Sequence, residues 1–248
     1  MVDIKFIHGD CLEEMPKLQD HSIDMILCDL PYGTTACKWD TIIPFEPLWK
    51  QYKRLIKDNG AIVLTASQPF TSALVMSNPK MFKYEWVWGK SKCGSPLSAK
   101  YRPMAKHENI IVFGKGVIKY NPEMLVGEPY KRDFTPLKLN NHKFGIKGAK
   151  TDNKGTRYPD TVLFFQQKWR RQDQIHPTQK PVALFEYLIR TYTNEGDTVL
   201  DNCAGSGTTA IACLNTNRNA ILIEKDESYY KAALDRFNRH KQQLTLEI

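Results

Sequence analysis

No apolar run in this 248-residue chain approaches the roughly 20 residues that cross a bilayer, and its first residues carry no basic-then-apolar leader pattern. Membrane-spanning and secreted classes are therefore not expected. The six cysteines (Cys11, Cys28, Cys37, Cys93, Cys203, Cys213) include no C-x-x-C pair and no metal-ligand spacing with histidine, so no metal site is expected. Several lie in apolar strand-like runs, which suits reduced core thiols in a cytoplasmic protein. Internal repeats and low-complexity tracts are absent, which excludes repeat architectures. The full three-glycine dinucleotide fingerprint is missing too, and no hydride-transfer constellation stands in for it. A nicotinamide-dependent dehydrogenase is disfavoured on that ground.

The length suffices for one large α/β domain with an inserted element, and 42% hydrophobic with 25% charged residues is an ordinary globular composition. The net charge of +8 becomes informative once it is located. Between Lys115 and Lys180 there are fourteen Lys/Arg against six Asp/Glu, while the rest of the chain holds twenty-one of each sign. All of the excess lies in one segment. Tyr120, Tyr130, Phe134, Phe144, Tyr158, Phe164, Phe165 and Trp169 are interleaved with those charges, a mixture suited to a phosphate backbone and bases. Composition alone fits a solvated basic loop equally well.

Apolar runs at residues 4–8, 22–28, 61–66, 84–88, 109–113, 198–201 and 220–224 read as strands. Helical stretches separate several of them. A short one lies at 12–18, and one carrying Leu48, Tyr52 and Leu55 ends at Asn59-Gly60. Others run from Pro181 to about Tyr192, open at Gly205-Ser206-Gly207, and close the chain at about 228–241. Near-continuous apolar strands alternating with helices indicate a parallel sheet covered on both faces, the doubly wound α/β class. From about Gly114 to Gln174 the periodicity fades and Gly, Pro, Asn and Lys accumulate, as in a loop-rich insertion.

Three constellations fall at predicted strand ends or helix starts. In the first, Val199-Leu200-Asp201 runs into Asn202-Cys203-Ala204-Gly205-Ser206-Gly207-Thr208-Thr209. Glycines let a ligand approach the backbone, and a helix start offers unpaired N–H groups. Glu224, nineteen residues after Gly205 and at the end of the next strand, is spaced to accept hydrogen bonds from a ribose hydroxyl pair. A strand-turn-helix without a ligand has the same local pattern.

The second is Asp29-Leu30-Pro31-Tyr32, at the carboxyl end of an apolar strand, where α/β folds bind ligands. An exocyclic amino nitrogen is a poor nucleophile because its lone pair is delocalised into the ring. Two acceptors at its N–H bonds localise that pair. The Asp29 carboxylate can be one and the Pro31 carbonyl the other, while Tyr32 offers a ring face for an extruded base. No covalent intermediate and no metal is needed. An ordinary turn uses the same residue types. The third, His176-Pro177-Thr178-Gln179-Lys180-Pro181, precedes a helix whose dipole, with Lys180 and Thr178, can hold a carboxylate such as that of methionine. Alone it reads as a helix entry. His107 beside Glu108 is read as a partly buried structural histidine, and Arg170-Arg171 as a solvated face.

Together and in this order, these residues resemble the amino-group (N6-adenine/N4-cytosine) DNA methyltransferases, in the subgroup whose catalytic D-x-P-Y tetrapeptide precedes the cofactor glycine motif. The resemblance covers roughly residues 3–113 and 175–240. It implies a Rossmann-like, seven-stranded, mostly parallel sheet in circularly permuted motif order. The implied cofactor is S-adenosylmethionine, with S-adenosylhomocysteine as product. Asp29, Pro31 and Tyr32 are implied to embrace a base flipped out of double-stranded DNA. By the same resemblance Asp10 and Cys11 lie near the cofactor's adenine, Glu224 holds its ribose, and Gly205 and Gly207 line its methionine part. Thr178 and Lys180 sit at the methionine end, and Asp29, Asp201, Cys203 and Thr208 complete the implied cofactor set.

Residues 1–114 and 175–248 become the catalytic domain, and the basic insertion 115–174 stands where this family carries its target-recognition region. The resemblance allows a homodimer and a cognate restriction endonuclease without implying either. Leu30 replaces the usual proline at the second position, which contributes mainly backbone stiffness, so activity is expected to survive. Asp at the first position goes more often with adenine. Adenine N6 is therefore the expected target and cytosine N4 the runner-up. Methylation of RNA or of a protein glutamine, and a non-catalytic nucleic-acid binder, are the remaining readings. The glutamine-directed tetrapeptide typically begins with Asn, and intact catalytic and glycine motifs argue against a mere scaffold.

Overall fold

The computed structural model describes residues 2–35, 37, 40–94, 96–134, 149–166 and 179–246. β1 (Ile4–His8) leads into a single turn, α1 (Cys11–Glu14), and then a 3-10 turn at Met15–Lys17. The helix expected over 12–18 is cut short because Pro16 has no N–H to continue an α-helical ladder. β2 (Ile23–Cys28), α2 (Phe45–Leu55), β3 (Ile56–Ala66), α3 (Phe70–Ser77), β4 (Phe82–Gly94) and β5 (Ala105–Phe113) follow. Next come β6 (Leu125–Val126), β7 (Tyr130–Phe134), β8 (Ala149–Asn153), β9 (Thr156–Arg157) and β10 (Val162–Phe165). The chain ends with α4 (Val182–Tyr192), β11 (Thr198–Asp201), α5 (Thr208–Asn215), β12 (Asn219–Glu224) and α6 (Glu227–Leu246).

Eight strands form one sheet in the order β1-β12-β11-β2-β3-β5-β4-β10. Of these, β5 alone runs antiparallel to its neighbours. The fold is the mostly parallel α/β sheet expected, with eight strands instead of seven. The additional strand, β10, lies inside the segment read as loop-rich insertion. Four residues are too few to show a period, so only its pairing along β4 reveals it.

Alternation along β2 shows how the sheet is covered. Met25 and Leu27 join one core with Leu188 and Ile189 of α4, while Ile26 and Cys28 join the other with Trp49 and Tyr52 of α2. Asn59-Gly60 does not cap α2, which ends at Leu55. It lies within β3, where the register against β2 slips between Ile23 and Met25. A Cβ on Gly60 would sit 2.7 Å from the Asp24 carbonyl, so this glycine serves a close backbone approach and not a helix end.

One core polar group makes a stability test. Tyr192 is fully buried, its Oη 2.9 Å from Tyr84 Oη and accepting from Trp86 Nε1 at 2.7 Å. Tyr192→Phe strands the buried indole N–H, which costs about 1–3 kcal/mol. Thermal unfolding is expected to shift down by roughly 2–10 °C on the scaling for a chain of this size.

The chain divides into two compact units, residues 1–121 with 161–248, and residues 122–160. The second unit has narrower bounds than the insertion read from sequence. It consists of two antiparallel pairs, β6 with β9 and β7 with β8. Within it the Arg157 guanidinium lies 4.5 Å from the Tyr130 ring centroid.

Candidate active site

The first unit brings the carboxyl ends of β1, β2, β11 and β12 together, as a parallel sheet does at its ligand-binding edge. β2 ends at Cys28, so Asp29 is the first residue beyond the ladder. Its Oδ2 receives Lys180 Nζ at 2.5 Å, across 151 residues of sequence. Its Oδ1 lies 2.7 Å from Tyr32 Oη and accepts from Thr65 Oγ1, with Tyr32 and Thr65 themselves 2.9 Å apart. The Tyr32 ring stacks on Phe70 at 5.2 Å. Burial, with Asp29 and Glu108 close by, pushes the Tyr32 phenol well above its ordinary range, so it stays a neutral donor.

Lys180 is itself buried. Burial works against its charge, yet the carboxylates of Asp29 and Glu108 outweigh that and hold its pKa above the usual lysine range. Glu108 lies 3.5 Å from Lys180 through Oε2 and also pairs with Lys90. Asp29, Lys180, Glu108 and Lys90 alternate in charge, and the first three line the cavity. From sequence, His107 is expected to be a partly buried structural histidine. It is exposed, and Glu108 is the residue that reaches the site. The available signal was an acid directly preceding an apolar strand run.

The loop after Tyr32 is held by Asp40. Its carboxylate accepts from the backbone N–H groups of Gly33, Thr34 and Thr35 at 2.8, 2.9 and 2.7 Å. Burial opposes its charge, but the Thr35 side chain and these N–H groups prevail and hold the carboxyl below its ordinary range. No local pattern marked Asp40 or Thr65, because both act through long-range or loop closure.

At the other end, Gly205 takes a positive φ of 48° and its N–H donates to Glu224 Oε2 at 2.7 Å. Glu224 Oε1 accepts from Asp226 N at 2.8 Å, and burial raises the carboxyl above the usual glutamate range. Asp10 caps α1 through Leu12 N and receives Lys225 Nζ, both at 2.9 Å. Chiefly through Lys225, its carboxyl stays below the ordinary range. Cys11, Cys28 and Cys213 are buried, whereas Cys37 and Cys93 are exposed. Among the described residues no group of three or more His, Cys, Asp or Glu is arranged to hold a metal. No helix among them is long and apolar enough to cross a membrane.

Asp201 is buried below the glycine turn, accepting from Thr209 Oγ1 and, at 3.1 Å, from Cys203 N. Burial raises its pKa to about 6. Unfolded aspartate titrates near 3.9, so the native state binds the proton more tightly. The protonated form's contribution is fully present below about pH 4 and is lost as pH rises to about 6. Asp201→Asn should flatten that part of the stability curve. Melting temperatures of both proteins across this range check it, and parallel curves would refute it.

Asp10, Cys11, Asp29, Pro31, Tyr32, Lys180, Asp201, Cys203, Gly205, Thr208 and Glu224 all line one cavity of about 660 Å³. Gly207 is not among its walls. It caps α5 in the left-handed region, and a Cβ there would approach Ala233 Cβ to 3.0 Å, so it serves the packing of α6. Thr178 and the Arg170-Arg171 pair lie outside the described residues.

The DNA adenine methyltransferase YhdJ of Escherichia coli (strain K12) is 29% identical over 258 residues, covering 94% of this chain and 82% of that protein. The crystal structure of an M1.HpyAVI complex with SAM superposes with a TM-score of 0.66 at 25% identity, over 95% of this chain and 99% of that one. The PvuII cytosine-N4-specific DNA methyltransferase shares the fold, with a TM-score of 0.68 at 17% identity, over 98% of this chain and 91% of that one. The family model for DNA methylases of the N6/N4 type matches residues 23–235. The chain belongs to the N6/N4 DNA methylase family.

Proposed function

We propose that this protein transfers a methyl group from S-adenosylmethionine to N6 of adenine in double-stranded DNA. The carrying observation is that the Asp29–Pro31–Tyr32 corner and the Gly205–Glu224 turn open on the same cavity. Its volume falls within the 300–1,000 Å³ typical of small-molecule sites. The donor and acceptor set fits the cofactor. Glu224 keeps unused lone pairs beyond its two backbone bonds, enough to accept from ribose hydroxyls. Asp10 and Cys11 border the adenine end, and Gly205 with Thr208 borders the methionine part.

When bound, S-adenosylmethionine would supply a methyl group on an electrophilic sulfonium, whose sulfur keeps the pair of the S–C bond that breaks and leaves as a neutral thioether. Asp29 and the Pro31 carbonyl accept the two N–H bonds of the target amino group and localise its lone pair. As the new C–N bond forms, positive charge grows on that nitrogen, and the Asp29 carboxylate stabilises it. The nitrogen then releases one proton, which Asp29 is placed to accept. Lys180 holds Oδ2 while Tyr32 and Thr65 hold Oδ1, fixing the carboxylate in advance of the base. Tyr32, backed by Phe70, presents a ring on which the base stacks. The tetrapeptide's place ahead of the glycine turn favours the permuted subgroup, and the basic, aromatic-rich composition of residues 115–174 supports a role for them in target recognition.

Asp29 at the first tetrapeptide position and the similarity to an adenine methyltransferase favour adenine. Cytosine N4 is the second reading, since its amino group offers the same two N–H bonds. Tritiated-methyl transfer to unmethylated duplex DNA, with RNA in parallel and nucleoside mass spectrometry, decides between them. N6-methyladenine in DNA supports the proposal, and N4-methylcytosine moves the base assignment. Label only in RNA, or none despite tight cofactor binding, overturns it.

A further inference from the structure

Outside residues 115–180 the charges cancel, yet residues 90–107 hold Lys90, Lys92, Lys100, Arg102 and Lys106 with no Asp or Glu. The structure places this stretch on the hairpin joining β4 to β5. Lys90 is engaged with Glu108, whereas Lys92, Lys100 and Lys106 are exposed. Two large apolar side chains stand out from the same hairpin, Leu97 at 96% and Tyr101 at 89% exposure. Phe164 of β10, 80% exposed, lies against Gly89 at the hairpin's root.

Position gives the hairpin its meaning. Thr65, which bonds Asp29, pairs with Ile110, and Glu108 on the cavity wall pairs with Trp88. Ala105–His107 therefore carry β5 outward from the catalytic end of the sheet. Three extended residues span about 10 Å, so the hairpin is rooted beside Glu108 on the cavity wall and Ala105 lies within about that distance of it.

We propose that this hairpin is a DNA-contacting element distinct from residues 115–174. Lys92, Lys100 and Lys106 bind phosphates, and Leu97 and Tyr101 press into the duplex where the target base leaves its stack. The inference rests on the DNA reading above. Three observations converge on it: charge of one sign, apolar and aromatic tips projecting into water, and attachment beside the carboxylate assigned to the base. Base removal leaves a gap in the stack, and apolar or aromatic wedges are the side chains that fill such gaps.

Two variants test it, with S-adenosylmethionine affinity and melting temperature measured first to establish intact folding. In K92A/K100A/K106A, the slope of log affinity against log salt for duplex DNA should shrink by about 2–3, the release of roughly three phosphate contacts. In L97A/Y101A, methyl transfer to duplex DNA should fall about 10-fold or more, as loss of a stacking contact does. An unchanged salt slope overturns the phosphate assignment, and unchanged turnover overturns the wedge. Wild-type protein is the control: if it neither binds nor methylates DNA, the functional reading has failed. If it does both and the variants match it, the hairpin assignment alone has failed.

Discussion

Replacing Asp29 by alanine is expected to leave S-adenosylmethionine binding near the wild-type level while methyl transfer falls by about 10²–10³-fold or more, the scale on which a preorganised electrostatic contact acts. The carboxylate is the charged member of the acceptor pair, and the Pro31 carbonyl alone cannot localise the amino lone pair. The change also removes the nearer carboxylate partner of Lys180, a buried cation whose distance to Glu108 is 3.5 Å. Some thermal destabilisation should accompany it. Asp29→Asn separates the two effects, because it keeps the volume and one carbonyl oxygen. If turnover in the asparagine variant matches wild type, the assigned role is wrong. If the alanine variant loses cofactor binding as severely as turnover, Asp29 serves the cofactor and not the base.

The second large effect belongs to Glu224. Glu224→Ala should weaken S-adenosylmethionine binding by about 10–100-fold, the scale of one or two hydrogen bonds to a charged group. DNA affinity should be unaltered. Gly205 N–H and Asp226 N–H both lose an acceptor, so the turn loosens along with the ribose contact. Glu224→Gln retains one oxygen and should fall between the two. Calorimetric titration with the cofactor reads this directly, and an unchanged dissociation constant would remove Glu224 from the cofactor's contacts.

Much of this site was legible because its landmarks sit at chain punctuation. Asp29 follows a run of six buried residues, and Glu224 closes the strand after a glycine turn. Apolar runs and turn residues report local burial and local backbone freedom, and both survive without knowing the partner strand. The same logic explains the misses. Pro16 cut a helix that periodicity had continued. Asn59-Gly60 looked like a helix end but serves a close approach to the Asp24 carbonyl, which depends on β2 lying alongside.

By itself the sequence determined the α/β class, the alternation of buried strands with covering helices, and the three constellations whose order resembles one methyltransferase family. Tertiary structure decided which of those residues meet. It placed Lys180 on Asp29, brought Glu108 and Thr65 to the same corner, and turned Gly207 toward α6 and away from the cavity. It also added β10 to the sheet and projected a basic hairpin from the catalytic edge. The physical reason is range: periodicity and turn chemistry are set within a few residues, whereas an ion pair across 151 residues exists only once strand order has brought its ends together.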